Sequence, residues 1–98
     1  MGVRKIEKRF EEEGIKLKYI DKRLVETPNG RRFYSDGTYF EDVYKINENY
    51  ELHEKISGRH SYGLYNKITG EYEIRTFYQQ DFLKEIDKQE LIKNLKGR

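Results

Sequence analysis

His53 and His60 are the only histidines in this chain of 98 residues, and Glu51 and Glu54 stand beside the first of them. Imidazole and carboxylate are the groups of general acid–base work and of metal binding, so this segment is the first place to look for chemistry. The spacing matches no zinc motif, because such sites draw three or four ligands at recurrent intervals. The absence of cysteine removes thiolate ligands, thiol nucleophiles and disulfides together. Ser35, Ser57, Ser61, Thr38, Thr69 and Thr76 supply hydroxyls, but a nucleophile needs an oriented base beside it. His60 and Ser61 are neighbours in sequence, and neighbours in a strand point to opposite faces. The chain contains no Gly-x-Ser-x-Gly elbow and no glycine-rich phosphate loop. The expectation is a non-enzymatic protein with no catalytic residues, no metal site and no cofactor.

Arginines interleave with aromatic rings at Arg31-Arg32-Phe33-Tyr34, Arg59-His60-Ser61-Tyr62 and Arg75-Thr76-Phe77-Tyr78. Rings on an open sheet can stack on bases while arginines hold phosphates. Arg31, Arg32, Arg59, Tyr62 and Arg75 are therefore the candidate contacts of an alternative reading, a small DNA- or RNA-binding protein. Tyrosine is also a common strand residue, with a ring that packs and a hydroxyl that stays wet. The net charge of +2, from 20 basic and 18 acidic residues, gives no general pull toward nucleic acid. Its distribution is uneven, with ten basic against six acidic residues over 1–32 and five against eight over 33–78.

These side chains need a scaffold, and the composition bounds it. The chain is 35% hydrophobic and 39% charged, which predicts a thin core under a wet, charged skin. The apolar residues are mainly Ile, Leu, Phe and Tyr, types in which disordered chains are poor. The length suits one domain, residues 1–98. No apolar run exceeds two residues, so neither a spanning helix nor the apolar core of a signal peptide is expected. The expected location is the cytoplasm, with no membrane partner. Alanine is absent, and Lys, Ile, Asn, Tyr and Glu abound. This is the bias of AT-rich coding sequence and suits a low-GC bacterium or its phage.

The periodicity predicts an α+β domain: an N-terminal helix, an antiparallel meander of about five to seven short strands forming a curved sheet or small barrel, and a C-terminal helical segment. Val3, Ile6 and Phe10 follow helical spacing over residues 3–13. Gly14 is placed to cap that helix, with Ile15 as the apolar partner of Phe10. Basic residues open this helix and Glu11, Glu12 and Glu13 close it, against the helix dipole. Something else must hold it. Strands lie within residues 15–78, punctuated by Pro28-Asn29-Gly30, Asp36-Gly37, Asn47-Glu48-Asn49 and Thr69-Gly70. Tyr72, Ile74, Thr76 and Tyr78 are expected to share one face of the last strand.

The final helical segment covers residues 80–96. Asp87-Lys88-Gln89-Glu90 fits a capping box, which would start a second helix at Asp87. Phe82, Leu83 and Ile86 fall on one side of a straight helix and Leu91, Ile92 and Leu95 on the other. Either the chain bends near Asp87, or the last helix offers its apolar side to a second subunit or a partner. Leu91, Ile92 and Leu95 are thus the candidate protein-binding residues, and a homodimer through the C-terminal helix is one form of that contact. With chemistry eliminated and tyrosine and arginine abundant, the leading expectation is an interaction protein. Its partner would most simply be another protein, as for a phage-encoded modulator of a host factor.

Overall fold

A computed structural model describes residues 2–26, 38–56 and 60–96. The chain runs through α1 (Arg4–Glu12), β1 (Lys18–Glu26), β2 (Thr38–Lys45), β3 (Tyr50–Lys55), β4 (Ser61–Asn66), β5 (Glu71–Thr76), α2 (Gln79–Lys88) and α3 (Ile92–Lys96). The strands form one open, curved antiparallel sheet in the order β1-β2-β3-β4-β5. The α+β class and the meander agree with the sequence reading, and the sheet has five strands. The turns expected at Pro28-Asn29-Gly30 and Asp36-Gly37, and most of the polar loop after Ile56, lie outside the described residues.

The helices cover one face of the sheet, where Tyr50, Leu52, Tyr62, Leu64 and Ile74 meet Val3, Ile6, Phe10, Phe82, Ile86, Leu91 and Leu95. Ile6, Phe10, Leu52, Leu64, Phe82 and Ile86 are wholly buried, and burial of each such side chain contributes about 1.5–3 kcal/mol. The cap at α1 forms as expected. Gly14 takes φ +80, its N–H bonds Glu11 O, and the Ile15 N–H bonds Phe10 O at 2.8 Å. A helix with its charges reversed is held by α2. Arg9 donates through Nη1 and Nη2 to both carboxylate oxygens of Asp87, at 3.1 and 2.7 Å. Gln79 Oε1 accepts the Ile6 N–H.

The C-terminal segment bends, but three residues later than the capping box suggests. Asp87 lies inside α2 and bonds Arg9 rather than starting a helix. The reversal falls at Glu90, which has φ 55. Its N–H bonds Asp87 O, and the Leu91 N–H bonds Ile86 O. This is the same cap that closes α1, built without glycine. The turn rotates α3 so that Leu91 and Leu95 enter the core already occupied by Phe82 and Ile86, while Ile92 packs against it. Asn47 then ties α3 to the β2–β3 turn. Its Nδ2 donates to Asn94 O and Leu95 O, and its Oδ1 accepts from the Asn49 and Tyr50 N–H groups.

Two irregularities set which side chains share a face. A bulge between Tyr19 and Asp21 lets β1 run as one strand, with Tyr19 opposite Tyr44 and Asp21 opposite Val43. A second shift, between Leu64 and Tyr65, pairs Leu64 with Ile74 and Tyr65 with Tyr72. Tyr72 is thereby turned away from Ile74, contrary to the expected shared face. Ile74 enters the core, whereas the Tyr72 hydroxyl reaches Glu41 and His53 on the other side of the sheet.

Candidate functional site

The face away from the helices carries a polar stripe. In register across the strands lie Val43, His53, Gly63 and Arg75, flanked by Glu41, Lys55 and Ser61 on one side and by Glu51 and Tyr65 on the other. All six residues of β3 are buried, including the charged ones. His53 is the hub. Its Nε2 lies 2.7 Å from Glu51 Oε1, and its Nδ1 lies 2.8 Å from the Tyr72 hydroxyl. Tyr72 in turn donates to Glu41 Oε2 at 3.1 Å. The imidazole stacks on Tyr65 at 4.9 Å between centroids and meets Tyr72 edge-on. Arg75 stands 4.3 Å above the Tyr72 ring, a cation–π distance. Arg23 Nη1 is 4.0 Å from Glu51 Oε1.

Gly63 makes this arrangement fit. A Cβ there would lie 2.7 Å from Tyr72 Cδ1 and Cε1, so the tyrosine crosses the sheet only where β4 has no side chain. The sequence shows the polar stripe in the alternation Glu51-His53-Lys55 against Tyr50-Leu52. Glu41 and Tyr72 could not be found that way, because their places depend on cross-strand register and on the β5 shift. Chemically the cluster is a chain of hydrogen bonds that links β2, β3 and β5. The Tyr72 hydroxyl already engages both His53 and Glu41.

The two histidines part company. His60 Nε2 approaches Glu54 Oε2 at 3.5 Å, with Glu54 opposite Tyr62 on the helix-covered face. His53 and His60 with their carboxylates therefore do not form one site. Glu54 is 1% exposed, and burial, then the charge of Asp42, raises its pKa above the usual carboxylate value. Burial and the nearby Glu54 also push the Tyr44 phenol up to about 12.

The candidate binding residues from the sequence fare as follows. Leu91 and Leu95 are 6% and 1% exposed. With the partly buried Ile92 they pack into the protein's own core among the described residues, as the bend in this segment allows. Tyr62 is buried, and its hydroxyl donates to Gly2 O. Tyr62 pairs with Thr76 and Gly63 with Arg75, which puts Tyr62 and Arg75 on opposite faces. They cannot form one nucleic-acid surface. Arg31, Arg32 and Arg59 lie outside the described residues.

A different surface is exposed at the first edge of the sheet. The helices pack on β4 and β5 and against each other, and the outer edge of β1 has no strand beside it among the described residues. Tyr19 is 50% and Ile20 43% exposed on this strand. Tyr19 is fixed nonetheless. Its ring meets Tyr44 edge-on at 5.4 Å, and its hydroxyl donates to Asp42 Oδ1 at 3.0 Å. Ile20 projects at the bulge, where the ladder skips a residue. Lys16, Lys18 and Lys22 are exposed around them; Asp21 lies 3.8 Å from Arg23, and Asp42 stands opposite Lys22. The edge is apolar in the middle and basic at its rim.

No protein-family model matches the chain, and neither curated proteins nor solved structures give a match. Among the described residues no helix is long and apolar enough to cross a membrane.

Proposed function

We propose that this chain is a non-catalytic interaction protein of the cytoplasm that docks an extended, acidic segment of a protein partner along β1. The observation that carries this reading is the exposed outer edge of β1 with Tyr19 and Ile20 half in solvent. An edge strand offers a row of backbone donors and acceptors to an incoming strand, and neighbouring side chains add selectivity. Lys16, Lys18 and Lys22 favour a partner of opposite charge. The same lysines and the bulge disfavour pairing with a second copy of β1, since like charges would be brought together. Tyr19 is already oriented by Asp42, so little side-chain freedom is lost on docking.

The test is a titration of the 15N-labelled protein with a peptide that alternates Glu with Val and Thr, beside single-stranded DNA and RNA of equal length. The expected result is saturable binding with amide shifts confined to β1 and its bulge, lost in Ile20→Lys and kept in Ile68→Lys. Ile68 is 73% exposed in the β4–β5 turn. Absence of β1 shifts at millimolar peptide refutes the reading. Tighter binding of DNA or RNA that survives Ile20→Lys replaces it with the nucleic-acid alternative.

A further inference from the structure

β1 meets β2 with its cations matched to acids at every place but one. Lys22 stands opposite Asp42 and Arg23 opposite Glu41, and Arg23 also lies 3.8 Å from Asp21. Lys18 stands opposite Lys45, and like charges placed directly across a ladder destabilise it. Lys45 has acids on its other sides. Its Nζ lies 3.4 Å from Glu48 Oε2, and Glu51 is its partner in β3. Lys18 is exposed and forms no ion pair among the described residues. The row Lys45-Lys18 thus ends at the open edge of the sheet on an unmatched cation.

We propose that Lys18 selects the segment docked on β1 by taking one carboxylate directly beside it, so that the position of a single acid, and not overall acidity, decides which partners bind. This selection rests on the strand docking at β1 described above and fixes the chemistry of the strand that docks. Lys18 shares the polar face with Lys45 and Glu51, whereas Tyr19 shares the helix-covered face with Tyr44 and Leu52. Side chains alternate along an added strand. The residue beside Lys18 and the residue beside Tyr19 are therefore consecutive and point to opposite faces. Directly opposed Cβ atoms lie about 4.5–5.5 Å apart, so a carboxylate there can pair with Lys18. The Tyr19 ring is 50% exposed and pinned by Asp42, and it offers the adjacent residue an apolar contact. The segment recognised is extended, with an acid and an aromatic or aliphatic residue side by side. Lys22 and Arg23 add less, because their charges are already balanced within the sheet.

The experiment titrates the 15N-labelled full chain with two threonine-rich peptides of equal length and composition. Each carries one Glu and one Phe, adjacent in the first peptide and separated by one residue in the second. The adjacent peptide should bind about fivefold more tightly, the contribution of one exposed charge pair. Lys18→Gln should abolish that preference, whereas Lys22→Gln, which removes the same net charge, should change it less than about twofold. Lys18→Glu should reject the Glu peptide and accept its Glu→Lys version. Free Lys18→Gln should melt no lower than the wild type, since it removes a repulsion with Lys45. Equal binding of the two peptides, or equal losses from the two glutamine variants, overturns the placement of the carboxylate while leaving strand docking intact. A lower melting temperature for Lys18→Gln also overturns it, because Lys18 would then have a partner within the fold. Absence of β1 shifts with either peptide removes strand docking itself, and the selection with it.

Discussion

Gly63→Ala should be among the more damaging single-atom additions on the polar face, and its effect should reverse sign when Tyr72 is removed. The added Cβ would sit 2.7 Å from Tyr72 Cδ1 and Cε1, inside any acceptable carbon–carbon contact, while Ile74 O at 3.5 Å is undisturbed. The ring cannot yield freely, because its hydroxyl is held by His53 and Glu41 and its face lies under Arg75. Overpacking at a fixed site costs about 1–3 kcal/mol. Displacing the hydroxyl from two partners adds about 1 kcal/mol for each bond lost. The sum is about 3–5 kcal/mol, a large share of the roughly 5–15 kcal/mol that holds a small domain together. In a Tyr72→Ala background the clash with the ring is gone and Ile74 O at 3.5 Å is an ordinary contact. Alanine should then be better than glycine by about 0.5–1 kcal/mol, because the unfolded chain loses less entropy on folding. Urea unfolding followed by far-UV circular dichroism, on the four members of the cycle, measures both effects. A neutral or stabilising Gly63→Ala in the wild-type background would refute the claim that Tyr72 lies across β4 over this position.

Two further substitutions probe features that the backbone and burial impose. Glu54 has its pKa raised by burial. Its protonated form therefore stabilises the fold below the ordinary carboxylate value, and that contribution is lost as pH rises through the raised folded value. Glu54→Gln should melt higher than the wild type at pH 7 and equal to it below pH 4. Equal melting at both pH values would contradict the burial. Glu90→Gly relieves a left-handed residue at φ 55 and should add about 1 kcal/mol to the urea-derived stability. No gain would mean that the glutamate side chain compensates for its backbone.

Legibility from sequence followed the range over which each feature is determined. The cap of α1 was readable because Gly14 and the pair Phe10 and Ile15 are local, and their residue types match the job. The same cap at the end of α2 was not, because Glu90 holds the left-handed position and glutamate announces no turn. The capping box at Asp87 misled for a related reason. Its carboxylate has a better partner in Arg9, 78 residues away in sequence, and the long-range fork outcompetes the local cap. The polar stripe of β3 was half readable. Alternation shows that Glu51, His53 and Lys55 share a face, but the arrival of Tyr72 depends on a one-residue shift in β5. The sequence could not settle whether Leu91, Ile92 and Leu95 faced inward or outward, because the answer hinges on one backbone torsion.

The buried ionic face also accounts for a fold with so few apolar residues. A chain that is 35% hydrophobic covers one side of its sheet with an apolar core and uses the other for Glu41, Glu51, His53, Lys55 and Ser61, all under 9% exposed. Burying such groups costs more desolvation than an apolar layer would, so net stability does not explain them. Their register does. A slip of one residue in β3 would carry Glu51, His53 and Lys55 to the face where Phe10 and Phe82 pack. There the charges would be buried among apolar side chains, away from Tyr72, Glu41 and Arg23. The alternative pairing is thereby heavily penalised, while the native one joins β2, β3 and β5 through a single imidazole. A sheet of short strands with a thin core needs that discrimination, since its apolar residues alone are too few to reject neighbouring registers. The exposed edge of β1 is where this constraint is weakest, with Ile20 at a bulge and lysines at the rim.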